Sequence, residues 1–288
     1  MYKEQELIIK NVKSFELRDI FDCGQCFRWN LQEDGSYTGV IKNGVLNVKK
    51  IDDSVIFKGA LDGNIQEICD DYFDMKTDYE KIKNGLSKID ENMSESIKYG
   101  AGIRILNQDL WECIISFIIS ANNNIPRIKK IIDRISEKYG NKLEWNNECY
   151  YTFPTIESLS SATIEDLRKL GLGFRDKRVH KTTQMLLNKE VDIDALKTME
   201  SSDEIREELL KLDGVGEKGA DCIMLFSLKK FDVFPVDVWI RRVMNELYIK
   251  NEDEQKVNKA EVKKIAKEKF GNLAGIAQQY LFFYRKNA

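Results

Sequence analysis

The sequence lacks a hydrophobic run long enough to cross a membrane. Its longest apolar stretch, residues 113–119, is far shorter than the roughly 20 residues that a membrane-spanning helix needs, so we interpret it as part of a buried helix. The N-terminal stretch MYKEQELIIK is charged and has no apolar core, so we expect no signal peptide. With 42% hydrophobic and 32% charged residues, the composition predicts a soluble globular protein without a membrane partner.

Cysteine and histidine are also scarce. Six cysteines are scattered along 288 residues, several of them in apolar runs, which predicts a reducing compartment rather than a disulfide framework. Cys23 and Cys26 have the spacing of half a zinc site, but there is no second cysteine pair and only one histidine, His180. We therefore expect no zinc.

The chain has no excess of positive charge. Its formal net charge is −3, whereas domains that bind nucleic acids are often basic. The charge is uneven, however, because residues 167–181 contain six lysines and arginines and one acidic residue, Asp176. Such a run is often only a solvated face, so the overall charge does not decide the partner.

The chain has no internal repeat and no low-complexity linker, and its pattern changes near residue 99. Before that point, SYTGVIKNGVLNVKKIDDSVIFKG predicts strands, with Asn43-Gly44 favouring a type I′ hairpin turn. After it, amphipathic segments predict helices, beginning with one over residues 103–120 and one that has Pro126 in its first turn. We predict an α+β fold with an N-terminal antiparallel β-sheet domain over residues 1–98 and a large all-helical region over 99–288.

The segment LDGVGEKGAD, residues 212–221, lies between two predicted helices. Gly214 and Gly216 permit backbone conformations that other residues disfavour, and they leave the amides at the start of the second helix accessible. Exposed amides at a helix N-terminus bind anions, and phosphate is the obvious one. The alternative to an anion-binding site is an ordinary tight turn between two helices.

Lys218 follows this turn directly, near the positive end of the helix dipole. That position favours a neutral amine, which is a nucleophile able to form a Schiff base. Asp237, after Pro235-Val236, is placed to cap the next helix, and a cap alone is its bland interpretation. In one cleft, the pair would combine a nucleophile with an anion that stabilises developing positive charge.

These residues carry a resemblance to a known family. LDGVGEKGADC followed by FPVDV resembles the 8-oxoguanine DNA glycosylase/AP lyase family of the helix–hairpin–helix DNA glycosylase superfamily. Further blocks in the same order extend the resemblance over most of the chain: CGQCFRW at 23–29, NQDLWECIISFIISANNNIPRI at 107–128, LRKLGLGFRDKRV at 167–179 and AGIAQQYLFF at 274–283. The family implies a helix–hairpin–helix motif and two helical subdomains with the active site between them.

The resemblance also implies an activity and a set of residue roles. Lys218 matches the lysine that attacks C1′ of the damaged nucleotide, and Asp237 matches the aspartate that assists. Four residues match the pocket for the flipped base: Gly24 through its carbonyl, Gln278 at the Watson–Crick edge, and Cys222 and Phe282 on the two ring faces. The expected activity is excision of 8-oxoguanine from duplex DNA, followed by β-elimination, in base excision repair.

The remaining implied roles concern the rest of the DNA. The residues that match contacts to the estranged cytosine, the vacated base stack and the phosphates are Asn122, Arg127, Arg175, Phe174, Gly214 and Gly216. The backbone carbonyls that match a monovalent or divalent cation site in the hairpin are those of Leu210, Leu212 and Val215. No cysteine follows Cys222, so the iron–sulfur loop of endonuclease III and adenine glycosylases cannot form in its usual place. We expect no required cofactor, a monomer, and a cytoplasmic location, with the nucleoid as the site of action if the source is prokaryotic.

Each implied role has an alternative that is purely structural. By local pattern alone, Phe282 and Cys222 are core residues, Gln278 is a solvated helix residue, and Asn122 ends a helix. Two other function classes also remain open. A monofunctional alkylbase glycosylase would use Asp237 with water and leave Lys218 idle, and a non-catalytic helix–hairpin–helix binding module would need only LDGVG.

Overall fold

The computed structural model describes residues 2–42 and 44–287, and its N-terminal part is built on a five-stranded antiparallel sheet. The strands are β1 (Lys3–Ile9), β2 (Trp29–Leu31), β3 (Tyr37–Ile41), β4 (Gly44–Ile51) and β5 (Ser54–Leu61). Their order in the sheet is β1-β5-β4-β3-β2. The predicted N-terminal sheet is confirmed. Ile41 pairs with Gly44 in the β3–β4 hairpin, while Asn43 of the predicted turn lies outside the described residues.

The sheet packs its inner face on an aromatic core. Two helices accompany it, α1 (Leu17–Phe21) and α2 (Ile65–Tyr72). Phe21 stacks on Trp29 with ring centroids 4.2 Å apart, and Phe73 contacts both rings from the end of α2. This aromatic cluster fixes the position of the loop that follows α1, which carries residues 22–28.

Thirteen further helices form the rest of the described chain. They are α3 (Tyr79–Leu86), α4 (Glu91–Tyr99), α5 (Leu110–Ser120), α6 (Ile125–Tyr139), α7 (Ile156–Ser160), α8 (Ile164–Lys169), α9 (Asp176–Leu187), α10 (Ile193–Thr198), α11 (Ser202–Leu210), α12 (Glu217–Ser227), α13 (Val238–Met244), α14 (Lys259–Phe270) and α15 (Ala274–Asn287). Among the described residues, none of the helices is long and apolar enough to span a membrane.

Helix α5 is the centre of this region, because eight of its eleven residues are apolar or cysteine and nine of the eleven are buried. The sequence predicts a helix from residue 103, but the structure begins it at Leu110, where the Asp109 side chain caps the Glu112 N–H. That prediction is wrong in its first seven residues. Residues 103–109 instead belong to no helix or strand, and their side chains enter both apolar clusters, Ile103 and Ile105 in one and Leu106 in the other.

A second, two-stranded sheet lies within the helical region. Strands β6 (Lys142–Trp145) and β7 (Glu148–Tyr151) form a hairpin that the sequence analysis does not anticipate. Asn146 and Asn147 at its turn have φ angles of 53° and 63°, the left-handed region that asparagine tolerates. Leu143 of β6 packs with Val40 and Val45 of the N-terminal sheet. The α+β architecture stands, with a second region that is mainly helical.

Two large apolar clusters fill the molecule. The smaller lies under the N-terminal sheet, and the larger fills the helical region. Tyr79, Leu86, Met93 and Ile97, on α3 and α4, belong to the larger cluster although they precede residue 98. The domain boundary at residue 98 therefore remains a proposal.

Candidate active site

The two helices predicted on either side of the glycine-rich turn are present. Helices α11 and α12 are joined by a tight turn in which the Val215 N–H donates to the Leu212 carbonyl at 3.2 Å. Gly214 has φ +89°, and an added Cβ would lie 3.0 Å from Arg178 and 3.1 Å from Ile118. Glycine is favoured there, because a side chain would strain the backbone and press against both neighbours. Thr182 holds the turn to α9 by donating to the Asp213 carbonyl at 2.7 Å.

Gly216 is the residue that caps α12. It contributes no side-chain cap, and an added Cβ would meet nothing within 4 Å. The space beside the N-cap of α12 is therefore open, as an anion-binding helix N-terminus requires. The cation site expected on the carbonyls of Leu210, Leu212 and Val215 remains a prediction.

Lys218 lies in the first turn of α12, against an aromatic wall. Its Nζ is 5.2 Å from the centre of the Phe117 ring. Phe117 stacks on Phe226 at 5.7 Å and meets the edge of Phe27 at 5.7 Å. The amine is thus held against the aromatic face of Phe117.

Cys222 follows Lys218 by one helical turn and is 4% exposed. Burial raises the pKa of its thiol to about 11, although the nearby Lys218 ammonium opposes that rise. The thiol is therefore neutral near pH 7.

Asp237 is the N-cap of α13, and its Oδ1 accepts from the Ile240 N–H at 2.8 Å. Asp237 therefore does cap α13, which was its purely structural role in the sequence analysis. The same side chain also lines the cavity that Lys218 lines. A capping carboxylate is fixed in direction, so Asp237 presents a defined negative charge to that cavity.

Gly24 comes from the loop after α1 and lies against Phe282 of α15. An added Cβ at Gly24 would be 3.4 Å from Phe282 Cε1, and the glycine has φ +85°. Phe282 is half-buried, and the Nζ of Lys286, one turn later, lies 5.6 Å from its ring centre. The N-terminal part and the last helix thus meet at the cavity.

The cavity between these elements has a volume of about 1160 Å³. Eight residues singled out from the sequence line it: Gly24, Asn122, Phe174, Gly214, Gly216, Lys218, Asp237 and Phe282. Seven others do not line it: Arg127, Arg175, Leu210, Leu212, Val215, Cys222 and Gln278. Gln278 is 4% exposed rather than solvated, and its Oε1 accepts from Gln279 at 2.7 Å.

The residues expected at the opposite base form a cluster at one edge of the cavity. Phe174 is 55% exposed, and the guanidinium groups of Arg175 and Arg178 lie 4.3 and 5.6 Å from its ring centre. Arg175 is buried, and it donates to the backbone carbonyls of Ala121 and Asn122, which holds the α5–α6 turn in place.

Arg127 belongs to the same cluster. Its Nη2 donates to the Gly171 carbonyl at 3.3 Å. Burial lowers the pKa of Arg175, and the charges of Arg127 and Arg178 lower it further, so the three cations lie close together. The arrangement is an exposed aromatic ring surrounded by positive charge.

Some residues that line the cavity were not identified from the sequence. Asn258, Lys259 and Lys286 also line it. Lys286 follows Phe282 at the i+4 helical spacing, so the same helix face could have indicated it. Asn258 caps α14 by accepting from the Glu261 N–H at 2.8 Å, and the N-K-A-E pattern is a local signal for that cap.

The fold and the site together define a class of protein. A glycine-rich hairpin, a lysine directly after it and an aspartate at the next helix N-terminus share one cavity, and residues 115–270 match the model of the HhH-GPD superfamily base excision DNA repair proteins. Residues 7–114 match the model of the 8-oxoguanine DNA glycosylase N-terminal domain.

Several known proteins are similar along most of their length. The 8-oxoguanine glycosylase/lyase of Clostridium acetobutylicum, solved with double-stranded DNA containing cytosine opposite 8-oxoguanine, is 44% identical with a TM-score of 0.93, covering 99% of this chain and 97% of that one. The probable N-glycosylase/DNA lyase of Methanothermobacter thermautotrophicus is 33% identical over 78% of this chain and 76% of its own. The N-glycosylase/DNA lyase of Saccharomyces cerevisiae is 32% identical over 86% and 72%. The chain belongs to the 8-oxoguanine DNA glycosylase family.

Proposed function

We propose that this protein is a bifunctional DNA glycosylase/AP lyase that excises 8-oxoguanine from duplex DNA. One observation carries the proposal: Lys218, Asp237 and Gly24, from three separate parts of the chain, line the same cavity. Family relatives named N-glycosylase/DNA lyase, and a relative solved with DNA that contains 8-oxoguanine, support it.

Base recognition begins with extrusion of the damaged nucleotide, because C1′ is inaccessible inside a duplex. The Gly24 carbonyl accepts a hydrogen bond from N7–H of 8-oxoguanine. Guanine presents a bare N7 acceptor at that position, so the same carbonyl repels it. Phe282 and Cys222 contact the two faces of the ring, and Gln278 reads its Watson–Crick edge. Because Cys222 and Gln278 are each 4% exposed and do not line the cavity, their contacts require the pocket to open when DNA binds. The neutral thiol of Cys222 suits contact with an uncharged ring.

Lys218 then carries the chemistry. Its neutral amine attacks C1′, the C1′–N9 bond breaks, and the base leaves with the bonding electron pair and a proton. Asp237 stabilises the positive charge that develops on the sugar. The lysine–sugar adduct opens to a Schiff base, and loss of a C2′ proton breaks the C3′–O bond and nicks the strand.

The remaining DNA contacts surround this site. Phe174 fills the stack that the flipped base vacates, and its high exposure makes it available for that contact. Asn122, Arg127 and Arg175 hold the estranged cytosine. The amides at Gly214 and Gly216 bind the DNA phosphates, supported by a cation on the carbonyls of Leu210, Leu212 and Val215.

We propose further that the enzyme acts as a monomer on chromosomal DNA in the cytoplasm. It needs no iron–sulfur cluster, zinc or other cofactor for catalysis, because Lys218 supplies the nucleophile.

Borohydride trapping tests the central step. Reduction of the Schiff base should link the protein covalently to DNA that carries 8-oxoguanine opposite cytosine, and Lys218→Gln should abolish the adduct. Lys98→Gln, at an exposed lysine paired with Glu95, is the matched control and should keep it. An adduct that persists in Lys218→Gln would contradict the assignment, and base release without strand nicking would indicate a monofunctional glycosylase.

A further inference from the structure

The loop that carries Gly24 is held by the side chain of the next residue, Gln25, which is 0% exposed. The Gln25 amide nitrogen donates to the carbonyls of Ile20 and Arg104, each at 2.8 Å. Its Oε1 accepts from the Leu106 N–H at 2.9 Å. A side-chain amide has two N–H donors, so Gln25 uses both of them as well as its acceptor.

Gln108 completes the arrangement from the other side. Its Nε2 donates to the backbone carbonyl of Gln25 at 2.8 Å. Its own backbone N–H donates to the carbonyl of Phe226 at 2.8 Å. Phe226 belongs to α12, the helix that carries Lys218. Residue 108 therefore bonds at once to the Gly24 loop and to the helix of the nucleophile.

This geometry bears on the direction of the Gly24 carbonyl. That carbonyl lies in the planar peptide that joins Gly24 to the Gln25 nitrogen. Only the two backbone dihedrals of Gln25 separate it from the Gln25 carbonyl, which Gln108 holds. Gly24, at φ +85°, has backbone freedom that would let the peptide turn, so its orientation must be fixed from outside.

We infer that Gln25 and Gln108 form a positioning pair that orients the Gly24 carbonyl relative to α12. The inference rests on the proposed function, in which that carbonyl distinguishes 8-oxoguanine from guanine. A hydrogen bond to N7–H requires a donor–acceptor distance near 3 Å, so a small rotation of this peptide removes the discrimination. The pair thereby couples base reading to the position of Lys218.

A purely structural role for the two glutamines makes a different prediction. Loose packing at this buried junction would impair every reaction at the site. Excision of 8-oxoguanine requires the Gly24 carbonyl, whereas strand cleavage at a preformed abasic site requires Lys218 but no base in the pocket. The ratio of these two reactions therefore separates positioning from stability.

Gln108→Met is the test variant. Gln108 is half-buried, and methionine keeps its length while removing the donor to Gln25. The backbone bond from residue 108 to Phe226 stays. Single-turnover excision of 8-oxoguanine opposite cytosine should fall by about tenfold or more, as expected when a reacting group is displaced. Strand cleavage at an abasic site should be unchanged.

Gln184→Met is the matched control, because Gln184 is also half-buried and donates to one backbone carbonyl, that of Ser160, away from the cavity. It should alter neither reaction. Gln108→Glu, which sets a carboxylate against the Gln25 carbonyl, should lower excision further and again spare cleavage. Circular dichroism melting establishes that each variant is folded at the assay temperature.

Three outcomes overturn the inference. Equal losses in the two reactions would assign the glutamines a structural role, and undiminished excision in both Gln108 variants would show that the carbonyl needs no such support. A wild-type protein that cannot excise 8-oxoguanine would overturn the proposed function along with the inference. The wild-type assay comes first, so this outcome is distinguished from a failure of the inference alone.

Discussion

Gly24 faces the ring of Phe282, since a Cβ added at Gly24 would be 3.4 Å from Phe282 Cε1. The proposed lesion reader and the proposed stacking platform thus share one wall of the cavity, although they come from opposite ends of the chain. A methyl group at residue 24 would project toward the space that a flipped base would occupy.

Gly24→Ala should therefore reduce excision far more than it reduces stability. Its positive φ costs an alanine roughly 1 kcal/mol of folding free energy, and displacement of the base should slow excision by about a hundredfold. Gly35→Ala is the control, because Gly35 has φ +79° but an added Cβ there meets nothing within 4 Å. Both variants should lose similar stability in thermal melts, and only Gly24→Ala should lose activity. Equal activities would contradict the assignment of Gly24.

Asp237→Asn should separate charge from capping. Asparagine also accepts from the Ile240 N–H, so the cap and the melting temperature should be kept. The sugar cation loses its negative partner, and base release should slow by about a hundredfold or more, the scale of removing one electrostatic stabiliser. The measurement is single-turnover excision beside DNA affinity by fluorescence anisotropy. A parallel loss of affinity would point to a structural cap alone.

Phe174→Ala should weaken binding to damaged DNA without destabilising the protein. The side chain is 55% exposed, so the free energy of unfolding should change by less than about 0.5 kcal/mol. Loss of base–aromatic stacking, worth about 1–3 kcal/mol, should raise the dissociation constant for a duplex with 8-oxoguanine by roughly tenfold or more. Leu187→Ala, at another exposed apolar side chain, should leave it unchanged. Unaltered binding by Phe174→Ala would rule out the stacking role.

Glu112 should make stability depend on pH. Burial raises the pKa of this carboxyl to about 7 despite Arg28 at 3.7 Å. The folded state thus holds the proton more tightly than the unfolded chain. The resulting stability is complete below the ordinary pKa near 4.5 and is lost as the pH rises through 7.

Glu112→Gln, which cannot ionise, should gain about 2 kcal/mol of unfolding free energy relative to wild type between pH 5 and pH 8. Urea melts of both proteins across that range give the difference directly. Glu165→Gln, at a side chain 76% exposed, provides the comparison. A difference between Glu112→Gln and wild type that is independent of pH would show that Glu112 is already ionised at pH 5.

The sequence was most informative where the signals are local. A glycine turn followed by a lysine predicts Lys218 at a helix start, and Pro235-Val236-Asp237 predicts a cap, and both are found. The β6–β7 hairpin could also have been predicted, because the pair Asn146-Asn147 lies between the segments KLEW and ECYY and asparagine tolerates the positive φ of a hairpin turn. Both asparagines do have positive φ. Asp109 likewise marked the true start of α5.

Other features required the folded chain. The contact of Gly24 with Phe282 joins residues that no local pattern connects, and the resemblance to a family supplied their roles without their geometry. The burial of Gln25 is similar: a polar residue in a loop predicts exposure, but one nearby backbone group, at Ile20, and two distant ones, at Arg104 and Leu106, satisfy its side chain. Long-range pairing of this kind is decided by packing, which single-sequence periodicity does not contain.

The β6–β7 hairpin has a consequence for how the molecule could change. Leu143 of this hairpin packs against Val40 and Val45 of the N-terminal sheet. Arg28, from the N-terminal part, donates a hydrogen bond to the carbonyl of Tyr151 in the same hairpin. We therefore expect the two halves to unfold as one cooperative unit rather than as exchangeable modules. A chimera that joins one half of this protein to the other half of a remote homologue would need compensating substitutions on both sides of the contact between the hairpin and the sheet. Without them, we expect the active-site cavity not to form.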